Sequence, residues 1–282
     1  MSVRIMTDST VDLSARVRPR VHRIPLSVRF GETEYQDSVT ITPDTFYEML
    51  AQCQELPTTS QPTPAAFEDA FREAVEAGHE VVCITIASKL SGTYQSATIA
   101  SEEFPGKVFV LDSRSAAIGA GILAEYALEL ADQGMGGEAI LQELIRKRRQ
   151  VRLYFMVDTL EYLKKGGRLS STVALVGGLL NIKPILHLDE TGEIRMLSTA
   201  RGLKKAFAAL TELSEKEGGP DKNLPILLGH TGTGSENLEK YQQESQELWA
   251  PDSPKTIIGS AIGVHVGPGA VAAAFFAAES AD

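Results

Sequence analysis

The chain has 282 residues, 43% hydrophobic and 23% charged, with a formal net charge of −10. These proportions exclude a collagen-like or disordered chain, and the acidic balance argues against a general nucleic-acid binder, which needs Lys and Arg to displace phosphate counterions. No apolar run approaches the roughly 20 residues of a membrane-spanning helix, and the opening MSVRIMTDSTVDL lacks a charged segment followed by a long apolar one, so a cytoplasmic protein is expected.

Length favours two domains. Val3 to Met6 reads as a buried strand, and Thr7, Asp8, Ser9 and Thr10 form a hydroxyl-rich turn after it, in which Asp8 or Ser9 caps the next turn. Thr42–Pro43 and Thr63–Pro64 are helix starts, each a capping hydroxyl followed by proline at the first helical position. Phe46, Met49 and Leu50 mark the buried stripe of the first helix, and Phe67, Phe71 and Val75 that of the second. Between them Pro57 to Pro62 reads as a second turn, carrying Thr58, Thr59, Ser60 and Gln61. Val81 to Ile86 and Val108 to Leu111 are further buried strands, and their alternation with helices predicts a mainly parallel sheet flanked by helices.

The third hydroxyl-rich segment, Ser88 to Thr93, lies where the 81–86 strand hands over to a helix, the position at which open α/β sheets bind ligands. Gly92 would let backbone approach a ligand, and Ser91 and Thr93 offer hydroxyls beside unpaired helix amides, a setting that suits a carboxylate. Ser91 could equally be only an N-cap. An apolar helix from Ala116 to Ala131, the glycines 134, 136 and 137, and a charged helix carrying Ile140 and Leu144 complete an expected first domain, 1–150. The basic run Arg146, Lys147, Arg148, Arg149 is either a solvated face or a docking surface for a protein or an anionic membrane.

The second domain, 151–282, is expected to hold strands at 153–157, 184–188, 194–197, 226–228, 256–258 and 271–276. Asp189 and Gly192 signal a hairpin and hence a mixed sheet. Helices are marked by Leu203, Phe207, Leu210 and Leu213, and by Leu238, Tyr241 and Leu248. The fourth segment, 158–170, ends in a glycine turn that projects Arg168, a fixed cationic fork for an acid or phosphate. The fifth, 259–269, surrounds His265 with residues so small that something else could approach its backbone, and His265 could either hydrogen-bond an acid or be structural.

Common catalytic signatures are missing. The sequence contains neither G-x-x-x-x-G-K-[ST] nor G-x-S-x-G, and its five histidines form no H-E-x-x-H pair, so ATP-loop, hydrolase-elbow and metal readings are unsupported and no cofactor is expected. Cys53 and Cys83 belong to no redox or metal motif and read as packing residues. An enzyme using Ser91 or Ser260 with His265 remains an alternative, as does a regulatory lipid-responsive module.

In order, Thr-Asp-Ser-Thr at 7–10, Thr-Ser-Gln-Pro at 59–62, Leu-Ser-Gly-Thr-Tyr-Gln-Ser-Ala at 90–97, Gly-Gly-Arg-Leu-Ser at 166–170 and His-Val-Gly-Pro-Gly at 265–269 resemble the DegV family, which includes the fatty-acid-binding subunits of bacterial fatty acid kinase. The resemblance runs from Thr7 to Gly269, with Asp112-Ser113 and Lys183-Pro184-Ile185 between; Val266, where the family often carries Thr, and the stretch 197–202 depart from it. It implies two α/β domains enclosing a long-chain fatty acid at their junction, a carrier without catalysis of its own, and a separate ATP-dependent kinase as partner. It also implies a carboxylate site at Thr59 and Ser91, with Ser60, Gly92 and Thr93 beside them, Arg168 and His265 near the head group, and Arg201 near the same exit. Pocket depth is expected to depend on Leu179, Leu180, Ile185, Phe275 and Phe276.

Overall fold

A computed structural model describes residues 2–169 and 181–278; Ser170, Leu179 and Leu180 lie outside the described residues. The chain opens with strand β1 (Val3–Asp8), β2 (His22–Ile24), and a hairpin of β3 (Ser27–Phe30) and β4 (Thr33–Gln36). Helix α1 (Pro43–Gln52) follows, started as expected by Thr42, whose hydroxyl accepts from the Thr45 amide at 3.3 Å. Next come β5 (Thr58–Ser60) and α2 (Pro64–Glu76), the latter capped by Thr63 through the Ala66 amide at 3.2 Å. The 57–62 segment is thus built around a short strand rather than a turn: Thr58–Ser60 pairs antiparallel with Ser27–Arg29.

From there β6 (Glu80–Thr85), α3 (Thr93–Ser101), β7 (Val108–Asp112), α4 (Ala117–Asp132) and α5 (Gly137–Lys147) complete the first half. The second half runs β8 (Val151–Met156), α6 (Glu161–Lys165), β9 (Ile182–Leu188), β10 (Ile194–Arg201), α7 (Leu203–Lys216) and β11 (Ile226–His230). It ends with α8 (Glu236–Glu244), β12 (Lys255–Ile257), α9 (Ser260–Val266) and β13 (Val271–Phe276).

One sheet is wholly parallel, in the order β2-β1-β6-β7; the other is mixed, in the order β10-β9-β8-β13-β11-β12; β4-β3-β5 form a small antiparallel third. Strand alternation divides each sheet's side chains between two cores. On the parallel sheet Met6, Val81 and Cys83 pack with Phe67 and Phe71 of α2, while Ile5, Val82 and Ile84 face α4. On the mixed sheet Tyr154, Ile185 and Phe275 pack with Phe207, Tyr241 and Trp249, whereas Leu153, Phe155, Leu186 and Ala272 face α4.

Helix α4 therefore touches both sheets, and twelve of its sixteen residues are buried. That position explains its largely apolar surface, with solvent-reached acids such as Glu129 and Asp132 appearing in its last turn. The core it organises is continuous from the parallel sheet into the mixed one. Ile185 and Phe275 lie in the other core, beyond the sheet from the cavity described below, so they do not set its depth. Phe276 packs on Tyr126 with ring centroids 5.7 Å apart, also off the cavity wall.

Candidate functional site

Where α4, α9 and the α4-facing side of the mixed sheet meet, they enclose a narrow, largely apolar cavity of about 80 Å³. Small side chains make the space: Ala116 and Ala117 at the start of α4, Ala261 on α9, and Ala270 and Ala272 before and on β13. Leu153 and Phe155 of β8 and Leu188 and Ile194 of the β9–β10 hairpin supply larger apolar walls.

The polar lining residues are Thr10, Thr59, Ser91, Arg168 and His265, and no described carboxylate borders the cavity. Thr59 comes from β5, where alternation turns it inward and leaves Thr58 and Ser60 exposed. Its hydroxyl lies 3.0 Å from Nε2 of His265 on α9, although 206 positions separate the two in the chain. Arg168 follows Gly167, whose φ of +70° turns the chain out of α6. Its guanidinium donates to the carbonyl of Leu90 at 3.2 Å and of Gly166 at 2.6 Å, tying α6 to the Ser91 loop. Ser91 borders the cavity and accepts from the Thr93 amide at 3.3 Å, but the N-cap of α3 is Gly92, so Ser91 stands one residue before the capping position. The Thr93 hydroxyl, 2.8 Å from that of Ser91, is buried and supports it.

Burial, and then the charge of Arg168, push His265 down to about 4. The imidazole is therefore neutral near pH 7. Its Nδ1 is buried without a hydrogen-bond partner and is packed against Gly166, where a Cβ would collide with it. In lipid-free protein the His265 ring should stay neutral as pH falls through 6 and titrate only near 4. Side-chain NMR of the imidazole checks this, and protonation near 6.5 would show that the ring is in water.

This end of the cavity offers hydroxyls, a guanidinium and an imidazole against apolar walls. Such a set can satisfy one acidic group on an otherwise apolar molecule. Nucleophilic catalysis lacks its key contact: Ser91 pairs with Thr93, the Ser260 hydroxyl is buried beside Asp37, and neither hydrogen-bonds His265 among the described residues. No described group of three His, Cys, Asp or Glu side chains is arranged to hold a metal.

Of the residues singled out in the sequence, Thr59, Ser91, Arg168 and His265 come together at the cavity. Ser60 is exposed on the opposite side of β5, and Gly92 is covered by the Gln61 side chain, with which a Cβ would clash. Arg201, at the end of β10 opposite Ile182, is exposed and off the described wall. Within the 259–269 segment Ser260–Val266 form a helix rather than an open loop, and while Ala261 borders the cavity, the glycines serve protein packing. Gly263 faces Phe46 and Tyr47, and Gly267 faces Tyr162, so aromatic rings and not a ligand approach this backbone. Thr10, read only as part of a capping turn, also borders the cavity and donates its hydroxyl to Asp8.

A buried acid pair that the sequence did not mark anchors α9. Asp12 accepts from the Gly259 amide at 2.8 Å, and Asp37 lies near the same glycine. Tyr47 donates to the Ile258 carbonyl at 2.9 Å. These contacts fix the start of the helix that carries His265 to the loop after β1 and to α1. Burial pushes Asp12 up to about 7, and also raises Asp37.

The profile of the uncharacterised DegV family matches residues 2–278. A DegV domain-containing protein of Deinococcus radiodurans is 37% identical over 276 residues, covering 97% of this chain and 98% of the relative. The structure superimposes on that of a fatty-acid-binding DegV family protein from Thermus thermophilus with a TM-score of 0.87 and 36% identity, covering 98% of this chain and all of the other. It also superimposes on DegV of Bacillus subtilis, described as a fatty acid binding protein, with a TM-score of 0.82 and 33% identity over 97% and 98% of the two chains.

Proposed function

Because the chain belongs to the DegV family, we propose that it binds one long-chain fatty acid in the apolar cavity and presents the carboxyl group to a partner kinase for acyl phosphate formation. The observation that carries the binding reading is an apolar space whose acid-compatible donors, Thr59, Ser91, Arg168 and His265, are brought together from four separate segments. Each buried methylene contributes about 0.8 kcal/mol, so ten of them supply roughly 8 kcal/mol before ordering costs. A carboxylate left unpaired inside would offset much of that, and the donors remove the penalty.

Denaturing extraction and mass spectrometry of the purified protein should release about one long-chain acid per chain. The Thr59→Ala, Ser91→Ala double variant should bind the same acid roughly tenfold or more weakly, from the loss of two hydrogen bonds to a charged group. Folded protein that repeatedly yields no lipid would refute the ligand class, whereas unchanged affinity in the double variant would move the head group elsewhere. The kinase reading rests on the family resemblance and on a sequence with no G-x-x-x-x-G-K-[ST] loop for ATP. Loaded protein given ATP alone should form no acyl phosphate, and should form it when a fatty acid kinase is added.

A further inference from the structure

The run Arg146 to Arg149 does not form one surface. Arg146 pairs with Glu143 on α5 at 2.7 Å and Lys147 donates to Gln150 at 2.8 Å. Arg148 and Arg149 instead turn into a second cleft, where they meet Arg114 and Arg152. Its volume is about 1320 Å³ counting the open side.

The cleft's charges are unevenly matched. Among its acidic residues, Glu217 is taken by Arg152 at 3.0 Å and Asp189 by Arg195 at 2.9 Å, which leaves Glu190. Arg114, Arg148 and Arg149 form no ion pair among the described residues. Arg148 donates to the Asp112 carbonyl at 2.6 Å and Arg114 to the Glu190 carbonyl at 3.4 Å, both neutral acceptors. The Nε of Arg148 is buried without a partner. Burial, and then the neighbouring Arg114, lower the Arg148 pKa, the mark of cations held together at a cost. Arg114 also adopts φ +51°, a left-handed conformation that glycine or asparagine takes far more readily. The chain thus accepts local strain at the residue that aims a third guanidinium into the cleft.

We propose that this arginine cleft is a binding site for a soluble ligand carrying two or more phosphate groups. Guanidinium forks match phosphate oxygens two at a time, and three forks without an ion pair, only one of them eased by the nearby charge of Asp112, exceed what one carboxylate can use. The concave shape suits a small molecule entering the cleft more than a flat membrane surface. The site is separate from the acid-binding end of the first cavity: the two share Leu153 and Leu188, but Thr59, Ser91, Arg168 and His265 do not border the cleft. It stands whether or not the chain carries a fatty acid.

Calorimetric titration of the full chain with sodium tripolyphosphate should show saturable one-to-one binding. Arg149→Gln and Arg114→Gly should each weaken it roughly tenfold, the loss of one charge-assisted contact, while Arg146→Gln, outside the cleft, should change it less than about twofold. Arg114→Gly relieves the left-handed strain, so its melting temperature should equal or exceed that of the parent, which separates loss of a ligand contact from loss of fold. Absence of saturable binding would overturn the proposal, as would equal weakening by Arg146→Gln, which would indicate general electrostatics. Binding to phosphatidylglycerol vesicles that tripolyphosphate fails to compete away would assign the cleft to lipid headgroups and overturn the soluble source.

Discussion

Replacing Ala272 with phenylalanine should leave the protein folded and empty of lipid. Ala272 sits opposite Phe155 in the β13–β8 ladder, is 2% exposed, and forms the cavity wall with Ala270. Its side of β13 faces α4, so a larger side chain turns into the cavity rather than into the Trp249 core. If the ring displaces about four methylenes of an acyl chain, the loss is about 3 kcal/mol, more than a hundredfold in affinity. Overpacking a filled core costs about 1–3 kcal/mol. Entry into the cavity avoids most of that cost, and the thermal midpoint of lipid-free protein should hold or rise. Extraction and mass spectrometry of the purified variant, beside a melting curve, read both quantities. Wild-type amounts of the same acids in the variant would mean that the acyl chain runs along a different path.

What could be read from the sequence depended on how local its cause was. The strands at 3–8, 80–85 and 108–112 and the helix starts at Thr42 and Thr63 are written locally, in β-branched runs and capping hydroxyls. Strands β2 to β5 were not, because segments such as His22–Ile24 and Thr58–Ser60 are too short and polar to show alternation. That omission matters for the site, since it is β5 pairing that turns Thr59 in and Ser60 out. Helix α9 was hidden for a different reason. Its sequence Ser-Ala-Ile-Gly-Val-His-Val has poor helix propensity, and packing against α1 and α6 decides its form. The contact between Thr59 and His265 spans 206 positions, beyond any spacing rule. The motifs named both residues; only the fold brings them within 3.0 Å. The division of the basic run was equally out of reach, because Arg114 joins it from the end of another strand.

The contribution of Asp12 to stability should fall as pH rises from about 4 to about 7, and Asp12→Asn should remove that fall. Asp12 is buried beneath α9, with Asp37 nearby and the charges of Arg23 and Arg18 only partly compensating. Burial is the largest influence, and it raises the carboxyl from 3.8 to about 7. The sign follows from proton counting. Between those values the folded chain keeps a proton that the unfolded chain has released, so raising the pH favours unfolding. The full effect is of order 4 kcal/mol, since each pKa unit corresponds to about 1.4 kcal/mol. Asp37, raised by the same burial, acts in the same direction. His265 acts oppositely: held neutral in the fold, it contributes stability present above about 6.5 and lost as pH falls towards about 4. Asparagine at position 12 keeps an oxygen for the Gly259 amide, now 2.8 Å from the carboxylate, without a charge to bury. Urea unfolding of lipid-free protein should therefore find the variant about 2–4 kcal/mol more stable than the parent at pH 8 and close to it at pH 4. Parallel stability curves across that range would show that Asp12 is ionised at little cost, and that water or a cation reaches the anchor of α9.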